Sequence, residues 1–355
     1  MQTLQLRIHD VIRETHDSVV VLFDKPEGLN YEPGQFLTPI LHIDGREERR
    51  SYSLCTSPTV DAQWGIGVKR VAGGLVSNYI CDHWQAGQEV QVLAPLGRFT
   101  LPAPAGMLTR RHLVLLAAGS GITPLMSMLK TVLSQEPNAR ISLLYANTNA
   151  ESVMFLDTLK AWQERYGERL HITHALSTPS AALGGIGRLS ADNFGDWLRE
   201  LPPPNPQTLY FLCGPNELMQ LQVQVLRSLR IPEANIYQES FTPSTKETAD
   251  KAPTPTPATN SVAGGAPIVT IRYAGAEYQF EVRPDQTILE AAQSRDIDLP
   301  YSCQSGMCTA CLGRCVQGKV SLDEEDSLTP GELNAGYVLT CVGRPESDDV
   351  IIEID

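Results

Sequence analysis

The sequence predicts a multidomain protein built from an antiparallel β-barrel, an α/β domain with a doubly wound parallel sheet, and a small α+β domain. Three observations predict this. The first 106 residues read as short strands between Gly and Pro turns, with little helix. The stretch from 107 to 241 alternates apolar runs with helical segments, the rhythm of a parallel sheet covered on both faces. After Thr242 a Pro/Thr-rich stretch interrupts the chain, and beyond it alternating strands surround one helix. At 355 residues and 42% hydrophobic content the chain can hold two or three ordinary cores, and it shows no internal repeat.

In the barrel segment, Arg50-Ser51-Tyr52-Ser53 sits on an expected strand. Arginine pairs with phosphate, and tyrosine stacks on a flat ring. Further on, Gly73-Gly74-Leu75-Val76-Ser77 precedes an expected helix, offering N–H groups and a hydroxyl to a second phosphate. The middle segment has expected strands at His112–Ala118, Ile141–Tyr145, Leu170–Leu176 and Leu209–Cys213, with helices near Thr123–Leu133, Val153–Tyr166 and Glu217–Leu229. Gly119-Ser120-Gly121-Ile122-Thr123-Pro124 follows the first of these strands. A glycine turn leading into a helix start attracts phosphate, and proline suits the first helical turn. The fourth strand ends in Cys213-Gly214-Pro215, and strand C-termini are where such sheets bind ligands. Each motif alone is weak: R-x-Y-S arises by chance, G-x-G serves in plain βα turns, and a cysteine can simply be a small buried residue.

The stretch 242–266 contains four prolines, several threonines, Lys246, Lys251 and Gly264-Gly265, and reads as a linker. Behind it, residues 267–355 open with strands at Ile268–Tyr273 and Tyr278–Val282. A helix near Thr287–Arg295 follows, capped by Asp285 or Thr287, and then strands near Gly318–Ser321 and Val350–Ile354. Between them lie Cys303, Cys308 and Cys311, and Cys341 follows, in the spacing C-x4-C-x2-C-x29-C. This is the spacing with which plant-type ferredoxins hold a [2Fe–2S] cluster by four thiolates, and a small sheet with one helix suits the β-grasp of that domain. Structural zinc usually shows two short C-x2-C pairs, whereas here one loop supplies three ligands. A Rieske centre needs two histidines, and the last histidine is His174. No signal-peptide pattern follows Met1, so the thiols are expected reduced, in the cytoplasm, rather than paired in disulfides. Gly306 and the small residues Ser302, Ser305, Thr309 and Ala310 let a loop bring backbone N–H groups close to sulfur. Cys315 is expected as a packed thiol, four ligands being already present.

Taken in order, Arg50-x-Tyr52-Ser53, Gly73-Gly74…Ser77, Gly119-x-Gly121-x-x-Pro124 and Cys213-Gly214-Pro215 resemble the ferredoxin–NADP reductase superfamily over about residues 1–241, and the remainder resembles a plant-type ferredoxin. Reductase first and ferredoxin last is the arrangement of oxygenase reductase components. The chain resembles in particular the group containing the phenylacetyl-CoA epoxidase and ketosteroid 9α-hydroxylase reductases, as does the tail from Leu328-Thr329 through Gly336-Tyr337-Val338-Leu339-Thr340-Cys341. The resemblance implies FAD held by Arg50, Tyr52 and Ser53, with Val68 and Lys69 along its adenosine side and Gly73, Gly74 and Ser77 at its pyrophosphate. It implies NAD(P)H phosphates on Gly119, Gly121, Thr123 and Pro124, with Gly214 and Pro215 nearby and Cys213 near the nicotinamide. Glu239 and Phe241 would approach the flavin, and Ser53, Cys213 and Glu239 would serve catalysis. Function follows as electron transfer from NAD(P)H through FAD and [2Fe–2S] to a separate terminal oxygenase. Alternatives are an FMN reductase of phthalate-dioxygenase type, a reductase for a desaturase or another hydroxylase, a flavin-free carrier and a zinc protein.

The net charge is −13, which argues against a nucleic-acid partner, and no apolar run approaches a membrane span. Residues 267–355 carry 16 Asp/Glu against 6 Lys/Arg, an excess that suits either solubility or docking of a basic partner. No arginine follows the second or third expected strand of the α/β domain, at Asn147-Thr148-Asn149-Ala150-Glu151 or Ser177-Thr178, and Arg188 is the nearest. Those residues favour NADH, since a 2′-phosphate calls for a cation; the resemblance to the epoxidase reductase favours NADPH.

Overall fold

The computed structural model describes residues 3–104, 110–181, 183–241, 266–301, 304, 306, 308–323, 328 and 330–354, divided between two compact units, Met1–Phe241 and Thr242–Asp355. The first unit opens with β1 (Thr3–Thr15), β2 (Ser18–Phe23), β3 (Phe36–Ile43), β4 (Arg46–Arg49), β5 (Tyr52–Ser53), β6 (Trp64–Lys69), α1 (Leu75–His83) and β7 (Glu89–Leu96). Its strands pair antiparallel in the order β4-β3-β7-β1-β2-β6, with β5 beside β3. A bridge between Leu54 and Ile66 joins the end of β5 to β6 and closes the ring, so the expected barrel is present. Along β1, Leu4, Leu6 and Ile8 are buried while Thr3, Gln5 and Arg7 face water, the period of two that specifies a sheet with one dry face.

The stretch Arg50–Ser53 is not one strand. Ile40–Ile43 of β3 pair with β4, Phe36 and Leu37 pair with β5, and Arg50 and Ser51 lie at the step between the ladders. Pro39, which has no N–H to give a ladder, occupies that step in β3, and the Thr38 and Ser51 hydroxyls meet there at 3.1 Å.

The unit continues with β8 (His112–Ala118), α2 (Ile122–Gln135), β9 (Arg140–Asn147), α3 (Leu156–Tyr166), β10 (Leu170–Leu176), α4 (Ala191–Glu200), β11 (Thr208–Cys213), α5 (Asn216–Ser228) and β12 (Ile236–Glu239). The strands form one parallel sheet in the order β10-β9-β8-β11-β12. β8 is apolar from Leu113 to Ala118 because both its faces are covered, and its first residue, the buried His112, meets the Ser142 hydroxyl at 2.9 Å. Leu113, Leu115 and Ala117 pack towards α2 and α3, whereas Val114 and Leu116 pack towards α4 and α5. The first of these cores also takes in Val20, Cys55 and Phe99, so barrel and parallel sheet share apolar contact.

Two elements of this parallel-sheet domain were not expected, α4 and β12. Helix α4 carries Gly195 and Asp/Asn positions of low helix propensity, and it forms because Ser190 and Asn193 cap each other reciprocally while Phe194 and Trp197 bury. Helix α3 starts at Leu156 rather than Val153, because Phe155 sits in the left-handed region at φ 58°.

The second unit comprises β13 (Ile268–Tyr273), β14 (Ala276–Glu281), α6 (Ile288–Gln293), β15 (Leu312–Gln317), β16 (Val320–Leu322), α7 (Pro330–Asn334), β17 (Tyr337–Leu339), β18 (Gly343–Pro345) and β19 (Asp349–Ile354). The main sheet runs β14-β13-β19-β15-β17 with β13 and β19 parallel, and β16 pairs with β18. The strand expected from Gly318 begins at Val320, since Gly318 turns the chain at φ 80°. Thr287 caps α6: its Oγ1 accepts from Glu290 N at 3.2 Å, and the Glu290 carboxylate accepts from Thr287 N at 2.8 Å. Thr287→Ala should therefore cost the second unit about 1 kcal/mol, read as a lowered urea midpoint with an unchanged slope. The boundary expected at 106/107 and the linker residues 242–265 lie outside the described residues. Among the described residues no helix is long and apolar enough to cross a membrane.

Candidate functional site

The order of the parallel sheet reverses at β8, which has β9 on one side and β11 on the other, and open α/β sheets bind ligands at such a switch point. Two turns meet there. Gly119–Gly121 leaves β8 as a 3-10 turn, with Gly119 at φ 52°, and runs directly into α2. Tyr145 donates from its hydroxyl to Gly119 O at 3.0 Å, and Thr123 donates to Ser120 O at 2.9 Å, so the turn is held from inside. No side chain caps α2, which leaves the positive end of the helix to an anion, although the Ile122 N–H already donates to Gly119 O and Ser120 O and Pro124 has none. Pro124 is buried in that first turn. The second turn is Cys213-Gly214-Pro215, leading into α5. A Cβ on Gly121 would stand 2.0 Å from Cys213 O, so only glycine lets the two turns touch.

Cys213 is paired in parallel register with Glu239 across β11 and β12. Cys213 is buried, and Glu239 Oε2 is buried with no hydrogen-bond partner among the described residues. Burial pushes the Glu239 carboxyl up to about 8, and burial together with the neighbouring Glu239 pushes the Cys213 thiol well up. Both groups keep their protons near neutrality and can donate hydrogen bonds. Phe241 follows on the surface, 38% exposed.

On the barrel, Ser53 is buried at the end of β5 and Tyr52 is half-buried beside it, its phenol raised by burial. Arg50 stands between the ladders, donating to Arg49 O at 2.7 Å with its guanidinium 3.3 Å from Glu48. Val68 is buried on β6, and the Lys69 ammonium lies 3.6 Å from Asp17. The turn before α1 needs glycine at Gly73, φ 70°, and Gly74 stands at the N-cap of α1. Ser77 Oγ accepts from Val71 N at 3.1 Å, which leaves its own proton to donate. Asn78 donates to Gly74 O at 2.7 Å and to Val71 O at 3.1 Å. Sequence reasoning passed over Asn78; its only signal was an amide one place after the serine in the first turn of a helix.

In the second unit, Cys311 and Cys341 are both buried, with their Sγ atoms 3.1 Å apart. Thr340 fixes that proximity by donating from its N–H to Cys311 O at 3.1 Å. The loop before them holds Gln304, Gly306 and Thr309 in the left-handed region, at φ 52°, 74° and 52°. Two such residues lack the freedom of glycine, and strain of this kind gathers at binding sites. Cys308 is half-buried on the same loop, and Cys303 lies outside the described residues. Among the described residues no three metal-binding side chains converge, so the structure brings together two of the four expected ligands. Two buried thiols side by side, Cys311 at the end of this loop and Cys341 after β17, fit iron–sulfur ligation. Cys315 is half-buried against the core, its thiol donating to Gln317 O at 3.2 Å, as a packed cysteine should.

Three family models match along the chain: an oxidoreductase FAD-binding domain at residues 5–101, an oxidoreductase NAD-binding domain at 115–224 and a 2Fe-2S iron-sulfur cluster binding domain at 271–346. The chain is 34% identical to the ferredoxin reductase component of 3-ketosteroid-9-alpha-monooxygenase from Rhodococcus rhodochrous, over 98% of this chain and 96% of that one. It belongs to this family of oxygenase reductase components. The reductase is also 32% identical to one of the subunits of 1,2-phenylacetyl-CoA epoxidase from Escherichia coli K12, over 99% of its own length and 97% of the relative's. Among solved structures, phthalate dioxygenase reductase superposes with a TM-score of 0.60 at 23% identity, covering 99% of this chain and 98% of the other. An intact type IV self-sufficient cytochrome P450 monooxygenase gives 0.70 at 20% identity, covering 99% of this chain and 41% of the other. Those two share the fold. The reductase thus has the expected FAD-binding, NAD-binding and [2Fe–2S] domains, and it is an NAD(P)H-dependent flavin and iron–sulfur oxidoreductase that passes electrons towards a partner oxygenase. The flavin-free carrier and the zinc protein fall away.

Proposed function

We propose that this reductase serves, from the cytoplasm, a separate terminal oxygenase of the phenylacetyl-CoA epoxidase type. The observation that carries this is the similarity to the matching epoxidase subunit from end to end, across the reductase part and the ferredoxin part alike. A second reading, a hydroxylase of the ketosteroid type, is supported by the similar 34% identity to its reductase component. Reconstitution with each purified oxygenase, following product formed per NAD(P)H consumed, separates the two. Tight coupling with the epoxidase components supports the first reading, and uncoupled NAD(P)H loss there with coupling to the hydroxylase overturns it.

When bound, FAD accepts hydride from NAD(P)H and returns electrons singly, which the [2Fe–2S] centre requires. The chain's own residues bind, orient and hold protons for that exchange. Arg50 would leave Glu48 to meet the flavin phosphate, while Tyr52 stacks and Ser53 donates to the ring. Val68 and Lys69 would line the adenosine side. Gly73, Gly74 and Ser77 would hold the pyrophosphate, with Asn78 keeping their turn in shape. The Gly119–Gly121 turn, Thr123 and Pro124 would seat the nicotinamide nucleotide at the start of α2, with Gly214 and Pro215 facing it. Cys213 and Glu239, both protonated, would border the nicotinamide and flavin rings, and Phe241 would lie at the flavin's edge. Cys303, Cys308, Cys311 and Cys341 would ligate the iron. The domain limits that go with these roles are 1–106, 107–241, the linker 242–266 and 267–355.

Ser77→Ala removes one donor to the pyrophosphate. It should raise the Kd for FAD about tenfold, or about 1.4 kcal/mol, and leave FMN binding unchanged, because FMN ends before that turn. Flavin fluorescence on dilution checks both. For the nicotinamide, Ser177 N donates to Asn147 O at 3.1 Å and Thr178 N to Thr148 O at 2.7 Å, which joins two loops that carry no cation at 147–151 or 177–178. That lack favours NADH while the epoxidase relationship favours NADPH, and kcat/KM for each nucleotide decides between them.

A further inference from the structure

The seam between the barrel and the parallel-sheet domain carries a contact that none of the assigned roles uses. Glu14, near the end of β1, accepts a hydrogen bond from Phe155 N at 2.9 Å, from one domain to the other. Phe155 is the N-cap residue of α3, and no side chain of its own segment caps that helix. A carboxylate at that position satisfies an orphan N–H and meets the positive end of the helix. Phe155 is also a buried aromatic residue held at φ 58°, a conformation that persists only where its surroundings impose it. Two further links cross the same seam. The Lys130 ammonium on α2 lies 3.2 Å from both carboxylate oxygens of Asp61, and the Ser57 and Thr131 hydroxyls meet at 2.7 Å. Helix α2 is the one whose first turn follows Gly119–Gly121, so the barrel grips the helix that would seat the nicotinamide nucleotide.

We propose that Glu14 is a positioning residue for hydride transfer: it fastens the nicotinamide domain to the flavin barrel through the Phe155 N–H and, with the Asp61–Lys130 and Ser57–Thr131 links, sets the separation of the two rings. This rests on the flavin and nicotinamide assignments above. Hydride transfer needs reacting atoms about 3–3.5 Å apart, and a displacement of ~1 Å costs on the order of 10²-fold in rate. The residue touches neither cofactor; it acts by placing one domain against the other.

The test uses the full-length holoprotein. Flavin reduction at saturating NAD(P)H is followed by anaerobic stopped flow in the wild type, E14A and E14Q, together with the long-wavelength charge-transfer absorbance of stacked flavin and nicotinamide rings. In parallel, the flavin is photoreduced without nicotinamide and electron arrival at the cluster is timed. E14A should slow flavin reduction by at least about tenfold and weaken the charge-transfer band, with photochemical electron transfer unchanged. E14Q, whose amide oxygen still accepts from Phe155 N, should recover most of the rate. A wild-type hydride step in E14A, a loss that merely follows flavin content, or an E14Q no better than E14A overturns the proposal. If E14A does not retain flavin, D61N opens the same seam with Glu14 in place; a slowed hydride step there supports the proposal and a wild-type step overturns it. Absence of flavin from the wild type would instead overturn the underlying assignment.

Discussion

Gly121→Ala should slow NAD(P)H oxidation on the order of 10²-fold while the protein keeps its FAD. The added Cβ would stand 2.0 Å from Cys213 O, 2.4 Å from Cys213 C and 2.9 Å from Gly214 N. All three are backbone atoms, and none can rotate away. Either the start of α2 or the end of β11 must move, and those are the two walls of the proposed nicotinamide site. Overpacking of this kind costs about 1–3 kcal/mol of stability. The larger effect is on rate, because a wall displaced by ~1 Å misplaces the nicotinamide by a similar distance and costs on the order of 10²-fold. The barrel, with its own core, has no part in the clash. Ferricyanide reduction by NAD(P)H should fall accordingly, with flavin absorbance per chain unchanged. Activity within about twofold of wild type would show that the two turns do not form the site.

Cys341→Ser should separate the two halves of the electron path. The Cys341 thiol is buried 3.1 Å from that of Cys311, so its loss removes one member of the thiol pair that the fold brings together and that we propose as iron ligands. A serine hydroxyl is a poorer ligand for iron than a thiolate. Changing a residue behind a metal ligand typically costs about 10–100-fold, and changing the ligand itself should cost at least the upper figure. Cytochrome c reduction, which needs single electrons delivered through the cluster, should fall about 10²-fold or more. Ferricyanide, which the flavin reduces directly, should still turn over. Equal loss of both activities would place the cluster upstream of the flavin, and unchanged cytochrome c reduction would deny it a part in the path.

How much of this was legible in the sequence depends on whether the deciding contacts are local. β8 runs over the expected residues, because a run buried along its whole length contrasts sharply with its Gly and polar flanks; β10 does so as well, although as an edge strand it leaves His171 exposed. The glycine turns were legible for the same reason: a requirement at Gly73 or Gly119 is a property of one residue's own φ. The cysteine spacing named a cofactor, because four ligands of one metal site leave a fixed interval in the chain. The pairing of Cys213 with Glu239 was not legible as geometry. It arises from the parallel register of β11 and β12, and β12 is too short to announce itself. The break at Arg50–Ser51 comes from β3 changing partners, which the local pattern cannot show. Glu14 gave no signal, since its partner is the backbone of Phe155 far along the chain. Helix α4 was hidden because its stability comes from Phe194 and Trp197 burying rather than from the propensity of its residues.

Electrons from NAD(P)H should cross a bound flavin and come to rest on iron held by Cys303, Cys308, Cys311 and Cys341. Anaerobic titration of the full-length protein with NAD(P)H, followed by optical absorbance and low-temperature electron paramagnetic resonance, tests this path most directly. The flavin band should bleach and a rhombic signal from a reduced [2Fe–2S] centre should appear, a signal that the Cys341→Ser protein should lack. Bleaching of flavin with no such signal, or zinc in place of iron in the isolated protein, would contradict this path.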